Sequence, residues 1–300
     1  MSLTHNVIEN SQITVISRLF SASVIKELSR KGRSPLFARL VKQSPILESK
    51  SKKEPISNTF DSAFELLQKK IYRNEYIYKA ALTHKILLGT HSLNTAVLLN
   101  EFRTGKNIAD TVIVNGTSTV YEIKSERDSL TRLEEQITSY RNVFAKVNVI
   151  AGGNHIKQIK SLIPHDIGIL KLNDRYQIST IREAVESTEQ IKPRAIFESI
   201  QLNEAKKILM QMDIEVPKLP NTQMYQALRE LFITLTPDEA HYGMVQILRT
   251  TRSQKSLKEL VISLPYSIQS LVLLTSIRKQ DYRRLLDTMK TPIEEALTWK

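Results

Sequence analysis

"IADTVIVNGTSTVYEIKS", residues 108–125, joins two strand-like runs through a turn. β-Branched and apolar residues dominate both runs, and Asn115-Gly116 between them is a strong hairpin signal. The second run carries Glu122 and Lys124 two residues apart, so a carboxylate and an ammonium leave the strand on one face. In most proteins such a spacing is a surface ion pair worth little. Asp110, on the first run, separates this case from that one. Residues facing each other across an antiparallel hairpin have numbers whose sum is fixed by the loop. A three-residue loop, Asn115 to Thr117, sets Asp110 opposite Glu122 with Cβ atoms about 5 Å apart. A two-residue turn sends the two acids to opposite faces unless a bulge intervenes.

With the odd loop, Asp110, Glu122 and Lys124 converge. Two carboxylates beside one ammonium repel unless they share a proton or a cation. Mg²⁺ suits them, with Mn²⁺ as a substitute, because it prefers hard oxygen ligands and keeps waters that a phosphate can displace. Lys124 would then orient or help deprotonate a metal-bound water, or stabilise charge on the phosphate.

Outward from the hairpin, "SLTRLEEQITSYRNVF" (129–144) predicts a helix and "VNVIAG" (147–152) a strand. "HIKQIKSLI" (155–163) predicts a short helix and "DIGILKL" (166–172) another strand. This succession predicts an α/β fold with a mixed sheet flanked by helices. In the first helix Leu130, Leu133, Ile137, Tyr140 and Phe144 form an apolar stripe, with Arg132, Gln136 and Tyr140 at i, i+4, i+8 beside it. Residues 61–99 read as helical, from the spacing of Phe64, Leu67, Ile71, Ile77, Ala81 and Leu82. Helical patterns return from 195 to 300, with breaks at Pro217, Pro220, Pro237 and Pro265. Residues 1–60 are basic and end in a linker-like stretch, "SPILESKSKKEPISN". Three regions follow: a basic N-terminal region 1–60, an α/β domain 61–190 and a helical region 195–300.

The longer stretch "NEFRTGKNIADTVIVNGTSTVYEIKSERDSLTRLEEQITSY" resembles the core of the PD-(D/E)XK, or restriction-endonuclease-like, nucleases. It is similar to a bacterial group with an E…AD…EIKS…D.L.RL..Q…Y pattern. The resemblance implies an α-β-β-β-α-β core and Mg²⁺-dependent endonuclease cleavage of DNA phosphodiester bonds. On it, Asp110 and Glu122 match the metal-binding acids, Lys124 the catalytic lysine and Glu101 the upstream acid. Ala109 stands where the family has proline. Gln136-x₃-Tyr140 matches an accessory motif whose pair contacts DNA or supports the site. Tyr140 reads equally as a core aromatic, and Gln136 as a solvated helix residue. Asp128 reads as an N-cap.

Bulk composition agrees with a globular chain: 300 residues, 41% apolar and 25% charged. Zero cysteines exclude disulfides, thiolate nucleophiles and Cys-based zinc sites. No apolar run approaches the roughly 20 residues of a membrane span, and no leader is read at the N-terminus. A cytoplasmic protein is expected. The net charge of +12 favours a polyanionic partner, most simply DNA. Basic clusters sit at Arg30-Lys31-Arg33, Lys50/Lys52/Lys53, Lys69-Lys70-Arg73, "RTTRSQKSLK" and "RKQDYRR". Arg132, Arg283 and Arg284 are the candidate phosphate contacts. The histidines show no metal-ligand spacing, "AGGNH" (151–155) reads as a turn, and no Walker sequence is present. The alternative to an enzyme is a nuclease-fold DNA-binding or adaptor module, with the C-terminal helices meeting a protein partner.

Overall fold

Val114 pairs with Ser118, so the loop between the two strands of the hairpin holds three residues, Asn115–Thr117. The computed structural model describes residues 8–46 and 53–300. Residues 47–52 of the linker-like stretch, with Lys50 and Lys52, lie outside the described residues. In chain order the helices α1 (Asn10–Ser17), α2 (Ala22–Lys31), α3 (Pro35–Lys42), α4 (Ile56–Gln68) and α5 (Glu75–Leu82) come first. Strands β1 (Val97–Thr104), β2 (Asn107–Val114) and β3 (Ser118–Lys124) follow. Then come α6 (Leu133–Arg141), β4 (Lys146–Ala151), α7 (Ile156–Leu162), β5 (Gly168–Leu172) and β6 (Ile178–Arg182). The chain continues through α8 (Pro193–Ser199), α9 (Leu202–Gln211), α10 (Asn221–Phe232) and α11 (Pro237–Thr251). It ends with α12 (Lys258–Ser263), α13 (Tyr266–Leu274), α14 (Tyr282–Thr288) and α15 (Ile293–Ala296). The prolines read as breaks at 220, 237 and 265 start helices, where a missing N–H costs nothing. No helix among the described residues is long and apolar enough to cross a membrane.

Two compact units divide the chain. One takes the described residues up to Ala80 together with Ser256–Lys300; the other is Ala81–Lys255. In the first, Pro55 bridges Pro292, and the Ile293 N–H donates to the Glu54 carbonyl at 2.8 Å. Phe20, Phe37, Phe60, Phe64 and Tyr76 pack ring against ring. The Tyr76 hydroxyl donates to the Ser267 carbonyl at 2.6 Å. Helix α2 ends at Gly32, whose φ of 68° suits a residue without Cβ. Arg284 donates to the Arg30 carbonyl at 2.7 Å in the last turn of α2, and to Asp281.

The second unit is built on a six-stranded sheet in the order β1-β2-β3-β4-β5-β6. Strands β1 to β3 form an antiparallel meander, β4 and β5 run parallel to β3, and β6 is antiparallel to β5. The α/β class expected from the sequence is the observed one, a mixed sheet flanked by helices. Crossovers through α6 and α7 are what parallel neighbours require. Two strands differ from the sequence reading. β1 begins within the stretch 61–99 read as helical and runs beyond it; its period is hard to read because its alternation is broken in the middle. β6 is not foreseen at all, because its residues are half-exposed and carry no apolar rhythm.

Ser118, at the start of β3, is buried, and its Oγ lies 2.9 Å from Nε2 of His241 on α11. It also accepts the Ala145 N–H at 3.2 Å. Burial pulls the His241 imidazole below its ordinary value, against the opposing charges of Glu186 and Asp238. A histidine depressed in the folded state stabilises it fully above the unfolded value of about 6.5 and less as pH falls through that value. The stability of this unit is therefore expected to decline below about pH 6.5, and less so in His241→Gln. Denaturant melts of both proteins between pH 5 and 8 measure the difference; equal declines would contradict it.

Candidate functional site

The register of β2 and β3, carried one residue past Thr111↔Tyr121, sets Asp110 across from Glu122. At that point the ladder opens. The Ile123 N–H donates to the Asp110 carboxylate, Oδ2, at 2.8 Å instead of to a strand carbonyl. The same point is distorted on the other side of β2. Asn100 pairs with Thr111 and Phe102 with Ala109, so Glu101 and Asp110 face each other in the interval. Glu101 has a φ of 54°, a left-handed conformation costly for a residue with Cβ.

This break exchanges the faces of the hairpin. Before it, Val97 and Leu99 on β1 and Val114 and Val112 on β2 enter the core; beyond it, Phe102 and Ala109 do. Each strand thus slips by one residue in its alternation. The far end of the hairpin now turns Thr104 and Asn107 toward α6. There Ser139 donates to the Thr104 carbonyl at 2.8 Å, and Arg132 to the Asn107 side chain at 3.2 Å. The tip is the two-residue turn Gly105-Lys106, with Gly105 at φ 60°.

Glu122 is 2% exposed and Lys124 7%. Their carboxylate and ammonium meet at 2.8 Å through Glu122 Oε1. Lys124 also donates to Gln136 Oε1 at 2.9 Å. The Tyr140 hydroxyl lies 2.6 Å from Glu122 Oε2 and 3.0 Å from the Ile108 carbonyl. Its single proton goes to the carboxylate at the shorter distance, where a charged acceptor makes the stronger bond. Burial first, then the negative charges of Glu122 and Asp110, push the Tyr140 phenol far above its usual range. It therefore donates and does not serve as a base. Tyr140 is both a core aromatic, stacked edge-on to Phe144, and a member of the polar cluster.

The structure brings Asp110, Glu122, Lys124, Gln136 and Tyr140 together. Glu101 lies beside Asp110 in the ladder, with an exposed side chain. Arg132 is exposed and bound to Asn107. Arg283 and Arg284 belong to the other unit. The Arg283 side chain is 94% exposed, 3.9 Å from Asp287. Arg284 has its guanidinium committed to the end of α2. Asp128 is not the N-cap expected: its carboxylate accepts the Ser125 N–H at 2.7 Å in the loop leaving β3, and Arg132 precedes the helix. Sequence reasoning missed Asn107, Thr104 and Ser139, which fix the hairpin to α6; their pairing depends on the face exchange and leaves no trace in spacing.

Among the described residues no three His, Asp or Glu side chains gather around one point. The oxygen donors on offer to a cation are two carboxylates, those of Asp110 and Glu122. Mg²⁺ is commonly held by one or two carboxylates with waters in its remaining positions, so the pair fits that ion.

A family model described as Bacteriophage P4 protein cII matches residues 68–263, taking in the whole of the second unit. Protein cII of Enterobacteria phage P4 is 24% identical over 196 residues, 65% of this chain. The match covers 64% of that relative, so the chain spans just under two thirds of its length. No solved structure matches the chain. With the family model covering well over half of its residues, this chain belongs to the bacteriophage P4 protein cII family.

Proposed function

We propose that the protein is a Mg²⁺-dependent nuclease with a restriction-endonuclease-like core, acting on DNA. The observation that carries this reading is the meeting of Asp110, Glu122 and Lys124 where β2 and β3 part. The order of elements supports it: the β1–β3 meander, α6 and the parallel strand β4 follow the succession that the resemblance implies. Bound Mg²⁺ would supply positive charge against the phosphate and a coordinated water more acidic than free water. Asp110 and Glu122 are the residues to hold it, with Glu101 the next acid along the ladder. The Ile123 N–H fixes the Asp110 carboxylate, Tyr140 fixes that of Glu122, and Gln136 steers the Lys124 ammonium. Lys124 pairs with Glu122 at 2.8 Å, so a cation held by Glu122 would weaken that pair. Plasmid nicking in Mg²⁺ or Mn²⁺ that stops with chelator is the expected result. Failure to cut duplex, branched or single-stranded DNA or RNA would overturn the reading.

A second reading, a DNA-binding or adaptor module that keeps the fold without cutting, is favoured by one observation. Both oxygens of Glu122 already have partners. Titration with Mn²⁺ separates the two, since only the enzyme requires a measurable affinity that Asp110 sustains.

The basic surface gives a further expectation. DNA affinity should fall steeply with salt, as several phosphate contacts release counterions. Arg283→Ala should flatten the slope by about one unit if it meets a phosphate. Arg284→Ala should lower the melting temperature of the first unit instead, since its guanidinium caps α2. Filter binding from 50 to 200 mM salt, with thermal melts alongside, distinguishes the two arginines. The opposite pattern would refute the assignment.

A further inference from the structure

β3, β4 and β5 run parallel, and their register sets Lys124, Ala151 and Lys171 in one row across three neighbouring strands. Register partners on parallel strands share a face. This face carries the candidate site: in the adjacent row Glu122 pairs with Val149, and Val149 with Ile169. Two lysines therefore stand two strand spacings apart, about 10 Å between Cα atoms, with the buried Ala151 between them. Both lie at the carboxyl ends of the parallel strands, where open α/β sheets bind their ligands.

Lys171 is half-buried, and among the described residues its side chain makes no ion pair or hydrogen bond. Its side chain leans over Gly153. A Cβ placed there would lie 3.2 Å from Lys171 Cε and 3.6 Å from Nζ. The neighbouring Gly152 is equally closed to a side chain, since a Cβ would meet Glu126 at 2.9 Å. The Gly152 N–H donates to the Lys124 carbonyl at 3.1 Å, which ties this turn to the end of β3. A half-buried lysine whose side chain has no counter-ion, leaning over Gly153 in the same row as Lys124, calls for an anion.

We propose that Lys171 and the backbone at Gly153 form a phosphate subsite that grips the nucleic-acid backbone next to the phosphodiester held at Asp110 and Glu122. The subsite deepens the nuclease reading and rests on it for the position of the strand. Lys171 is a positioning residue: it holds a neighbouring phosphate, not the reacting one.

The test is binding of a short DNA duplex without divalent metal, to wild type, Lys171→Gln and Gly153→Ala. Removing one phosphate contact should weaken affinity about eight-fold at 0.1 M salt and flatten the salt slope by about one unit. Gly153→Ala should do the same without loss of fold, because its Cβ meets only the flexible end of Lys171. A scan of single neutral methylphosphonates along the duplex should find one position that weakens wild type but not Lys171→Gln. Unchanged affinity and slope in Lys171→Gln, or identical scans for both proteins, would overturn the subsite even if cleavage is intact. If wild type never cuts DNA, the catalytic reading fails alone, while the binding differences still decide the subsite. Absence of DNA binding by wild type overturns both.

Discussion

Glu122→Ala is expected to lower the stability of the second unit by about 3–5 kcal/mol, a drop of about 6–20 °C in its melting temperature. The substitution strands the ammonium of Lys124, a residue 7% exposed whose other partner among the described residues is Gln136. It also removes the charged acceptor of the Tyr140 hydroxyl, which is left with the Ile108 carbonyl at 3.0 Å. An uncompensated buried charge is far costlier than the loss of an exposed pair. A double variant gives the control. Glu122→Gln with Lys124→Met removes both charges, and the introduced amide oxygen can still accept from Tyr140, so most of the stability should return. Calorimetry of the wild type, the single variant and the double variant measures this directly. A single variant within about 1 kcal/mol of wild type would show that the pair is solvated and the site open to water.

Asp110→Asn should behave in the opposite way, keeping the fold and losing the chemistry. Asparagine retains an oxygen to accept the Ile123 N–H, so the expected stability change is about 1 kcal/mol or less. What it loses is one of the two negative charges that a cation would share. Residues that merely orient metal ligands are worth about 10–100-fold, so removing a ligand charge should cost more than about 10²-fold in cleavage. Mn²⁺ affinity should fall with it. Full cleavage by a stable Asp110→Asn protein would remove Asp110 from the proposed site. Loss of cleavage with loss of fold would assign it to structure alone.

Asp110 and Glu122 are legible in the sequence because a hairpin obeys arithmetic. Asn115-Gly116 announces the turn, and the spacing of the two acids decides their meeting once the loop is odd. Gln136 and Tyr140 are legible for a similar reason, since helical spacing lines them up along one side of α6. β1 is hidden by the feature that shapes the site. Its alternation slips at Glu101, so "VLLNEFRT" matches neither a period of two nor a helix. Lys171 is invisible because its relation to Lys124 runs through two parallel pairings, whose register depends on the lengths of α6 and α7. Arg284 resembles a phosphate contact because sequence displays charge, not the carbonyls of α2 that occupy it.

The bridge between Pro55 and Pro292 also has a bearing on how the chain folds as it is made. Ordering by synthesis brings out the first unit's early helices, then the whole of Ala81–Lys255, and only afterwards the helices that complete the first unit. At about 5–20 residues per second, α1 to α4 wait roughly 10–35 s for their partners to leave the ribosome. During that interval Phe20, Phe37, Phe60 and Phe64 lack part of the surface that later covers them, and the sheet unit can finish first. The first unit is thus closed last, by contacts of very high sequence separation, the slowest kind to form.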